Sequence, residues 1–397
     1  MTSTTADGAL PARTDAPARS GEAARLLGPD FLRALAILLV MVWHLPRAAV
    51  PEWLAPVKPF GWIGVDLFFV LSGYLIGSQL LAPVARGEAP DLRAFYIRRA
   101  TRILPPFLLV LALYALVPAA RDQPEIPPVW RFLTFTMNFG LDIRVTGAFS
   151  HAWSLCVEEH FYLVLPALVL LLRRWRTPWP AVALVAGMLI GGMVLRGVIW
   201  QEAIGTRLAA GDSKGIFYEY LEALYYPTYT RLDGLLMGVL LAALIRFRPD
   251  LWNRIARPLP LLLAGLAVTW AALDLCAGRA ELAGTPAPMP AMGLAASILA
   301  FPLLSLGFAL LLAAGIAPGN GLDRRRLPGV AFLALISYSL YLVHKPVMQL
   351  DRLLFGAEAL QGNAGVAIYW STSIAAAALM WWAVERPALK LRDRWLS

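Results

Sequence analysis

Two residues that could act in chemistry stand at the ends of an uncharged run in FLRALAILLVMVWHLP, residues 31–46. Eleven helical residues turn through roughly 1100°, so Arg33 and His44 would share one helix face, about 16 Å apart. A guanidinium binds anions, and an imidazole titrates near neutral pH and can serve as a general base. The pair predicts an anion site and a base on one helix. The structural alternative is a snorkelling arginine and a packing histidine.

Two further stretches place polar side chains inside apolar surroundings. GVDLFFVLSGYLI, residues 64–76, contains Asp66 and Ser72, and its glycines predict either close helix packing or local unwinding. HAWSLCVEEHFYLVLP, residues 151–166, contains adjacent carboxylates, Glu158 and Glu159. Neighbouring residues point about 100° apart on a helix, so at most one of these glutamates faces a shared cavity. Hydrated carboxylates at a membrane surface are the alternative interpretation.

The remaining candidates lie nearer the C-terminus. YYPTYTRLDGLLMG, residues 225–238, brings Arg231 and Asp233 to the start of an apolar segment. SYSLYLVHKP, residues 337–346, places Tyr341 and His344 close together, although a solitary histidine is often structural. Charges in lipid cost several kcal/mol unless they are paired or hydrated, so each of these residues is a candidate for function. Cys156 is a rival nucleophile, but a thiol in apolar surroundings is expected to be inert.

The composition predicts a membrane protein. Of 397 residues, 59% are hydrophobic and 15% are charged, whereas soluble proteins are about 25% charged. We predict an all-α bundle of about ten transmembrane helices. The predicted spans are residues 31–50, 61–82, 103–119, 152–172, 180–200, 226–245, 259–277, 293–316, 330–350 and 364–385.

The basic residues predict the orientation of these spans. With the N-terminus inside, most of the 35 Lys and Arg residues fall in the inner segments, so we expect both termini to be cytoplasmic. We expect residues 1–27 to be a disordered tail, residues 28–390 to be the transmembrane domain and residues 391–397 to be a short tail. The net charge of +9 then reflects topology, and we expect neither nucleic-acid binding nor a metal site.

Taken in order, these motifs resemble the acyltransferase 3 family of integral-membrane O-acyltransferases. The resemblance covers residues 30–387 and includes Arg33 and His44, together with the basic stretch YIRRATRILP and the final ERP. It departs from the family at Cys156, His160 and Tyr74, where serine, glutamine and phenylalanine are common. It implies transfer of an acyl group, usually acetyl from acetyl-CoA, to a hydroxyl of a carbohydrate or natural product. We therefore expect a multi-pass protein of a bacterial cytoplasmic membrane.

The resemblance and the residues together suggest roles. Cations at the inner mouth would bind the phosphates of the acyl-CoA donor, which enters as co-substrate. The candidate donor-binding residues are Arg33, Arg98, Arg99 and Arg102. The candidate catalytic residues are His44, Glu158, Asp66 and His344. The candidate acceptor-binding residues are Arg231, Asp233, Ser72 and Tyr341.

For the mechanism we expect His44 to be the general base and Glu158 to orient it. A variant has His44 carry the acyl group itself before passing it outward. A secondary transporter that uses the buried charges for proton relay is the alternative function.

Overall fold

The computed structural model describes residues 27–175, 177–212, 215–277, 293–321 and 327–396. Within these ranges the chain is helical and contains no strand, as the composition predicted. The predicted tail lies outside the described residues apart from Leu27. Residues 391–396, predicted as the second tail, form the end of the last helix.

The helices follow one another with short connections. Their bounds are α1 (Leu27–His44), α2 (Ile63–Ala85), α3 (Leu92–Leu116), α4 (Val129–Leu133), α5 (Trp153–Leu172), α6 (Trp179–Trp200), α7 (Thr206–Ala209), α8 (Ile216–Tyr220), α9 (Asp233–Phe247), α10 (Pro249–Ile255), α11 (Pro258–Ala277), α12 (Leu294–Ile316), α13 (Val330–Ala359), α14 (Gly362–Met380) and α15 (Arg386–Leu396).

Nine helical segments of the described chain are long and apolar enough to cross a membrane. They correspond to nine of the predicted spans. The difference lies at residues 226–245, where Pro227 precedes a short 3₁₀ turn and the helix α9 has only 15 residues. At 1.5 Å per residue α9 is about 22 Å long, less than the ~30 Å hydrocarbon core.

The third span also differs from its prediction, because α3 begins eleven residues earlier than residue 103. Asp91 caps this helix by accepting a hydrogen bond from the backbone N–H of Ala94 at 2.9 Å. Because α3 begins early, Arg98, Arg99 and Arg102 all lie on this helix. Their spacing along it decides which of them share a face.

Helices α1, α2, α9, α12 and α13 form the inner part of the bundle, and α1 packs against α2, α12 and α13. Two glycines of α2 mark close approaches. A methyl group at Gly64 would collide with the carbonyl oxygen of Ala36, and one at Gly73 with that of Leu235. The glycines of this stretch therefore permit close helix packing, one of the two predicted alternatives, and α2 remains helical through them.

Candidate active site

The first of two cavities opens among α1, α2, α3, α5 and α13, and three arginines lie in its wall. These are Arg33, Arg99 and Arg102, and Ser72 and Glu158 line the same cavity. Glu158 accepts a hydrogen bond from the hydroxyl of Ser72 at 2.7 Å. The cavity therefore combines three cations with one hydrogen-bonded carboxylate.

Each of these arginines is held by a neighbouring group. Arg33 donates to Asp30 at 3.0 Å, one helical turn before it. The guanidinium of Arg99 lies 3.8 Å from the ring centroid of Tyr162, a cation–π contact. Arg102 interacts electrostatically with Glu158 and with Glu385 of the ERP motif. Arg33 and Arg99 thus have contacts that restrict their side chains before a ligand binds.

The structure separates the predicted donor-binding arginines. Arg98 is exposed and does not line the first cavity, because one residue along α3 turns its side chain away from Arg99. The two adjacent glutamates are separated in the same way: Glu158 lines the cavity and Glu159 does not.

The second cavity contains His44 and lies towards the other end of α1. Its wall also includes His151 and Ser150, with the aromatic rings of Trp43, Trp62, Trp153, Tyr225 and Tyr226. His44 donates from Nδ1 to the carbonyl oxygen of Val40 at 2.9 Å. The expected pairing of His44 with Glu158 is therefore not made, because the backbone holds this nitrogen and Glu158 lies in the other cavity.

Val65 of α2 and Tyr341 of α13 line both cavities and form the wall between them. The hydroxyl of Tyr341 donates to the carbonyl oxygen of His151 at 2.6 Å. The hydroxyl of Ser154 lies 2.6 Å from the hydroxyl oxygen of Tyr341 and can donate to it. Two short hydrogen bonds thus hold the tyrosine side of the wall in place.

Three histidines cluster at the second cavity. The ring centroid of His344 lies 4.7 Å from that of His44 and 5.0 Å from that of His151. The rings of His44 and His151 are 6.4 Å apart. His344 is fully buried and lines neither of the two cavities, so it reaches them only through its neighbours.

Lys58 stabilises the end of α1 that carries His44. Its ammonium donates to the carbonyl oxygens of Leu45 at 2.6 Å and Trp43 at 3.0 Å. Burial, with a smaller contribution from Arg47, lowers the pKa of Lys58 to about 8. The ammonium is therefore mostly charged at neutral pH. It lies at the negative, C-terminal end of the helix dipole, where a cation stabilises the helix.

Asp66, Arg231 and Asp233 lie outside both cavities, in buried ion pairs. Arg231 donates to Asp66 at 2.8 Å, and Arg196 donates to Asp233 at 2.7 Å. The guanidinium of Arg231 also lies 4.0 Å from the ring centroid of Phe301. These contacts join α2, α6, α9 and α12, so they favour a structural role over the predicted catalytic and acceptor-binding roles.

His151, Val65 and Arg196 were not among the site residues predicted from the sequence, although the first two line the cavities and Arg196 holds Asp233. Arg196 carried a visible signal, since it is a lone charge in an apolar span. His151 is the first residue of HAWSLCVEEHFYLVLP, where the adjacent carboxylates of Glu158 and Glu159 are the stronger sequence signal. Cys156, the rival nucleophile, is buried and lines neither of the two cavities.

The fold and these cavities define a multi-pass helical membrane protein with a basic cavity and a histidine cavity on one central helix. A family model described as an acyltransferase domain matches residues 26–385. The chain belongs to this family, the acyltransferase 3 family that the motifs resembled.

Two relatives show what this chain is similar to. Peptidoglycan O-acetyltransferase OatA of Listeria monocytogenes (strain EGD-e) is 29% identical over 228 residues, 54% of this chain and 33% of the relative. O-acetyltransferase OatA of Staphylococcus aureus (strain NCTC 8325) is 29% identical over 231 residues, 55% of this chain and 34% of the relative. The match thus spans about a third of these relatives. No solved structure matches the chain significantly.

Proposed function

We propose that this protein is a membrane O-acetyltransferase that moves an acetyl or other short acyl group from acyl-CoA to a carbohydrate hydroxyl. One observation carries the proposal: α1 presents Arg33 to a basic cavity and His44 to a histidine cavity, and Val65 and Tyr341 line both cavities. The family provides the reaction class, and the printed names of the relatives suggest the acceptor class.

On the donor side, the phosphates of acyl-CoA would bind Arg33, Arg99 and Arg102. Guanidinium groups bind phosphate through paired, charge-assisted hydrogen bonds. The positive-inside pattern supports a cytoplasmic location for this end, where acyl-CoA is made. The slender arm that carries the thioester would then extend along α1 to the wall at Val65 and Tyr341.

On the acceptor side, His44 would act as general base through Nε2. Since a neutral imidazole carries one N–H, and Nδ1 donates to Val40, Nε2 is the nitrogen that can take a proton. The acceptor oxygen attacks the thioester carbonyl carbon as His44 takes the hydroxyl proton. The C–S bond then breaks, and the proton passes to sulfur, giving an ester and the free thiol of CoA.

The other candidates have supporting roles in this proposal. Ser72 and Glu158 would position Arg99 and Arg102 for the donor. Asp66, Arg231 and Asp233 would hold the helices together, and His344 would support the ring of His44. Transfer to His44 before the acceptor remains a variant of the same chemistry, since both routes use the same nitrogen.

The test replaces His44 with alanine and measures transfer of labelled acetyl from acetyl-CoA to cell-surface glycans. Loss of the base should lower the rate by about 10²- to 10⁴-fold. The variant should still insert into the membrane and should unfold at the same temperature as the wild type. His160→Ala is the matched control, because His160 is half-buried, bonds Thr228 at 2.8 Å and lines neither of the two cavities. It should keep most of its activity.

Near-normal transfer by His44→Ala would contradict the proposed mechanism. Solute uptake into liposomes without consumption of acetyl-CoA would instead favour the transporter alternative. A two-step route through His44 would leave labelled protein when acetyl-CoA is added without acceptor.

A further inference from the structure

All three clustered imidazoles donate their N–H to a backbone carbonyl, which fixes the tautomer of each ring. His44 donates from Nδ1 to Val40 at 2.9 Å, and His344 donates from Nδ1 to Tyr341 at 2.8 Å. His151 donates from Nε2 to Leu342 at 3.2 Å. A carbonyl oxygen only accepts hydrogen bonds, so the opposite nitrogen of each neutral ring is a bare acceptor.

The partner of His151 is available because of a proline. In a regular helix the carbonyl of Leu342 would accept the backbone N–H of residue 346, but that residue is Pro346. The freed carbonyl accepts the N–H of His151 instead. This contact directs Nδ1 of His151 away from α13 as the free acceptor.

The bare nitrogens of two of the three rings have no donor in the part of the chain that the structure describes. Among the described residues, Nδ1 of His151 and Nε2 of His344 are buried without a hydrogen-bond partner. A buried acceptor without a partner is unfavourable, so each of these nitrogens favours a donor that a ligand could provide. His151 is 3% exposed and lines the second cavity beside His44, so its ring is part of the wall that a ligand in this cavity meets.

Two donors near the cluster already have acceptors. The ammonium of Lys345 pairs with Asp122 at 2.6 Å and donates to Ser150 at 3.3 Å. The hydroxyl of Tyr341 donates to the carbonyl of His151. In the described part of the chain, no group of three His, Cys, Asp or Glu side chains is arranged to hold a metal ion. A ligand with hydroxyl groups satisfies the bare nitrogens directly.

We infer that the second cavity binds two neighbouring hydroxyls of the acceptor, one at His44 and the other at Nδ1 of His151. This inference rests on the proposed function and adds to it a substrate class, a vicinal diol such as a sugar ring presents. His44 takes the proton of the reacting hydroxyl, and His151 accepts a hydrogen bond from the adjacent one. The ring centroids of His44 and His151 lie 6.4 Å apart on the wall of the same cavity, close enough for one small ligand to contact both rings.

The test uses two small alcohols as acceptors for the full chain in lipid nanodiscs with labelled acetyl-CoA. Ethylene glycol has two adjacent hydroxyls, and its monomethyl ether has one. We expect the wild-type protein to prefer ethylene glycol by about tenfold in kcat/KM, because the ether leaves His151 without a donor.

Two variants separate binding by His151 from its contact with the backbone. In His151→Gln the side-chain amide can still donate to Leu342, but the acceptor at Nδ1 is lost. In His151→Asn an oxygen can take the place of Nδ1, but the side chain is too short to reach Leu342. We expect the glutamine variant to lose the preference for the diol and the asparagine variant to keep part of it, although its Tm falls.

Several results would overturn the inference. They are an equal use of both alcohols by the wild type, an unchanged preference in His151→Gln, or no acetylation of either alcohol. The reverse order of the two variants would show that His151 acts only through Leu342. If labelled acetyl is transferred to cell-surface glycan, and His44→Ala abolishes this, the proposed function stands even when the diol test fails.

Discussion

On α3, a shift of one residue decides whether an arginine lines the first cavity. Arg99 stacks on Tyr162 and lines the cavity, whereas its neighbour Arg98 is exposed outside it. Both were equal candidates from the sequence, because a row of basic residues does not say which helix face meets the bundle. The packing of α3 against α13 and α15 sets that face.

These two residues make a matched pair for a test of donor binding. Arg99→Gln removes a fixed cation from the cavity and should raise the KM for acetyl-CoA by about tenfold, since charge-assisted hydrogen bonds contribute about 1.5–3 kcal/mol. Arg98→Gln removes the same charge from an exposed site and should leave KM close to that of the wild type. Steady-state kinetics in acetyl-CoA would measure both, and equal effects would contradict the assignment of the donor to this cavity.

His151 could not be assigned from its own stretch of sequence. Its position depends on Pro346, which lies far along the chain and frees the carbonyl of Leu342. The pairing of Arg231 with Asp66 could not be predicted either, because the two residues lie far apart in the sequence. Arg231 lies just before α9 and Asp66 lies on α2. Local patterns identified the polar residues but not their partners.

At the level of helices, two prolines within membrane-spanning helices have the same effect: each leaves one backbone carbonyl without its helical donor. Pro302 of α12 removes the donor for the carbonyl of Ile298, and Arg196 donates to this oxygen at 3.2 Å. Pro346 of α13 does the same for Leu342 and His151. In lipid a freed carbonyl needs a new donor. The donor is a side chain of α6 in one place and of the turn before α5 in the other. Each proline thus anchors a neighbouring element.

The crossing of α2 and α9 predicts a difference between two glycines. Gly73→Ala should lower the stability by about 1–3 kcal/mol, because the added methyl collides with the backbone of Leu235. Gly187→Ala on α6 meets open space and should raise stability by about 0.5–1 kcal/mol through helix propensity. Thermal unfolding in detergent would measure both, and a neutral Gly73→Ala would contradict the close crossing.

At the scale of the whole molecule, hydropathy predicted nine of the spans because length and apolar content are properties of each segment. Hydropathy overestimated the length of the helix at residues 226–245, because Pro227 precedes a turn and α9 begins only at Asp233. Arg231 and Asp233 in this segment form buried ion pairs. The separation of the polar residues into two cavities could not be predicted, since it depends on how α2 and α13 meet.

The wall between the cavities predicts a change in how water competes with the acceptor. Val65→Ala removes two methyl groups from this wall and should increase hydrolysis of acetyl-CoA relative to acyl transfer, because water gains access to the thioester. Val70→Ala is the control, since Val70 lies on the same helix, is fully buried and lines neither of the two cavities. Release of free thiol and formation of ester would be measured together, and equal ratios in the two variants would contradict a sealing role for Val65.

The wall at Val65 and Tyr341 also has a consequence for inhibition. Two compartments on opposite sides of a fixed tyrosine can be occupied at the same time. A compound that fills the second cavity should therefore leave the affinity for the proposed acyl-CoA donor unchanged. A phosphate-bearing compound in the first cavity should leave the affinity for the proposed carbohydrate acceptor unchanged. Joined by a linker thin enough to pass the tyrosine, the two fragments would bind far more tightly than either one alone.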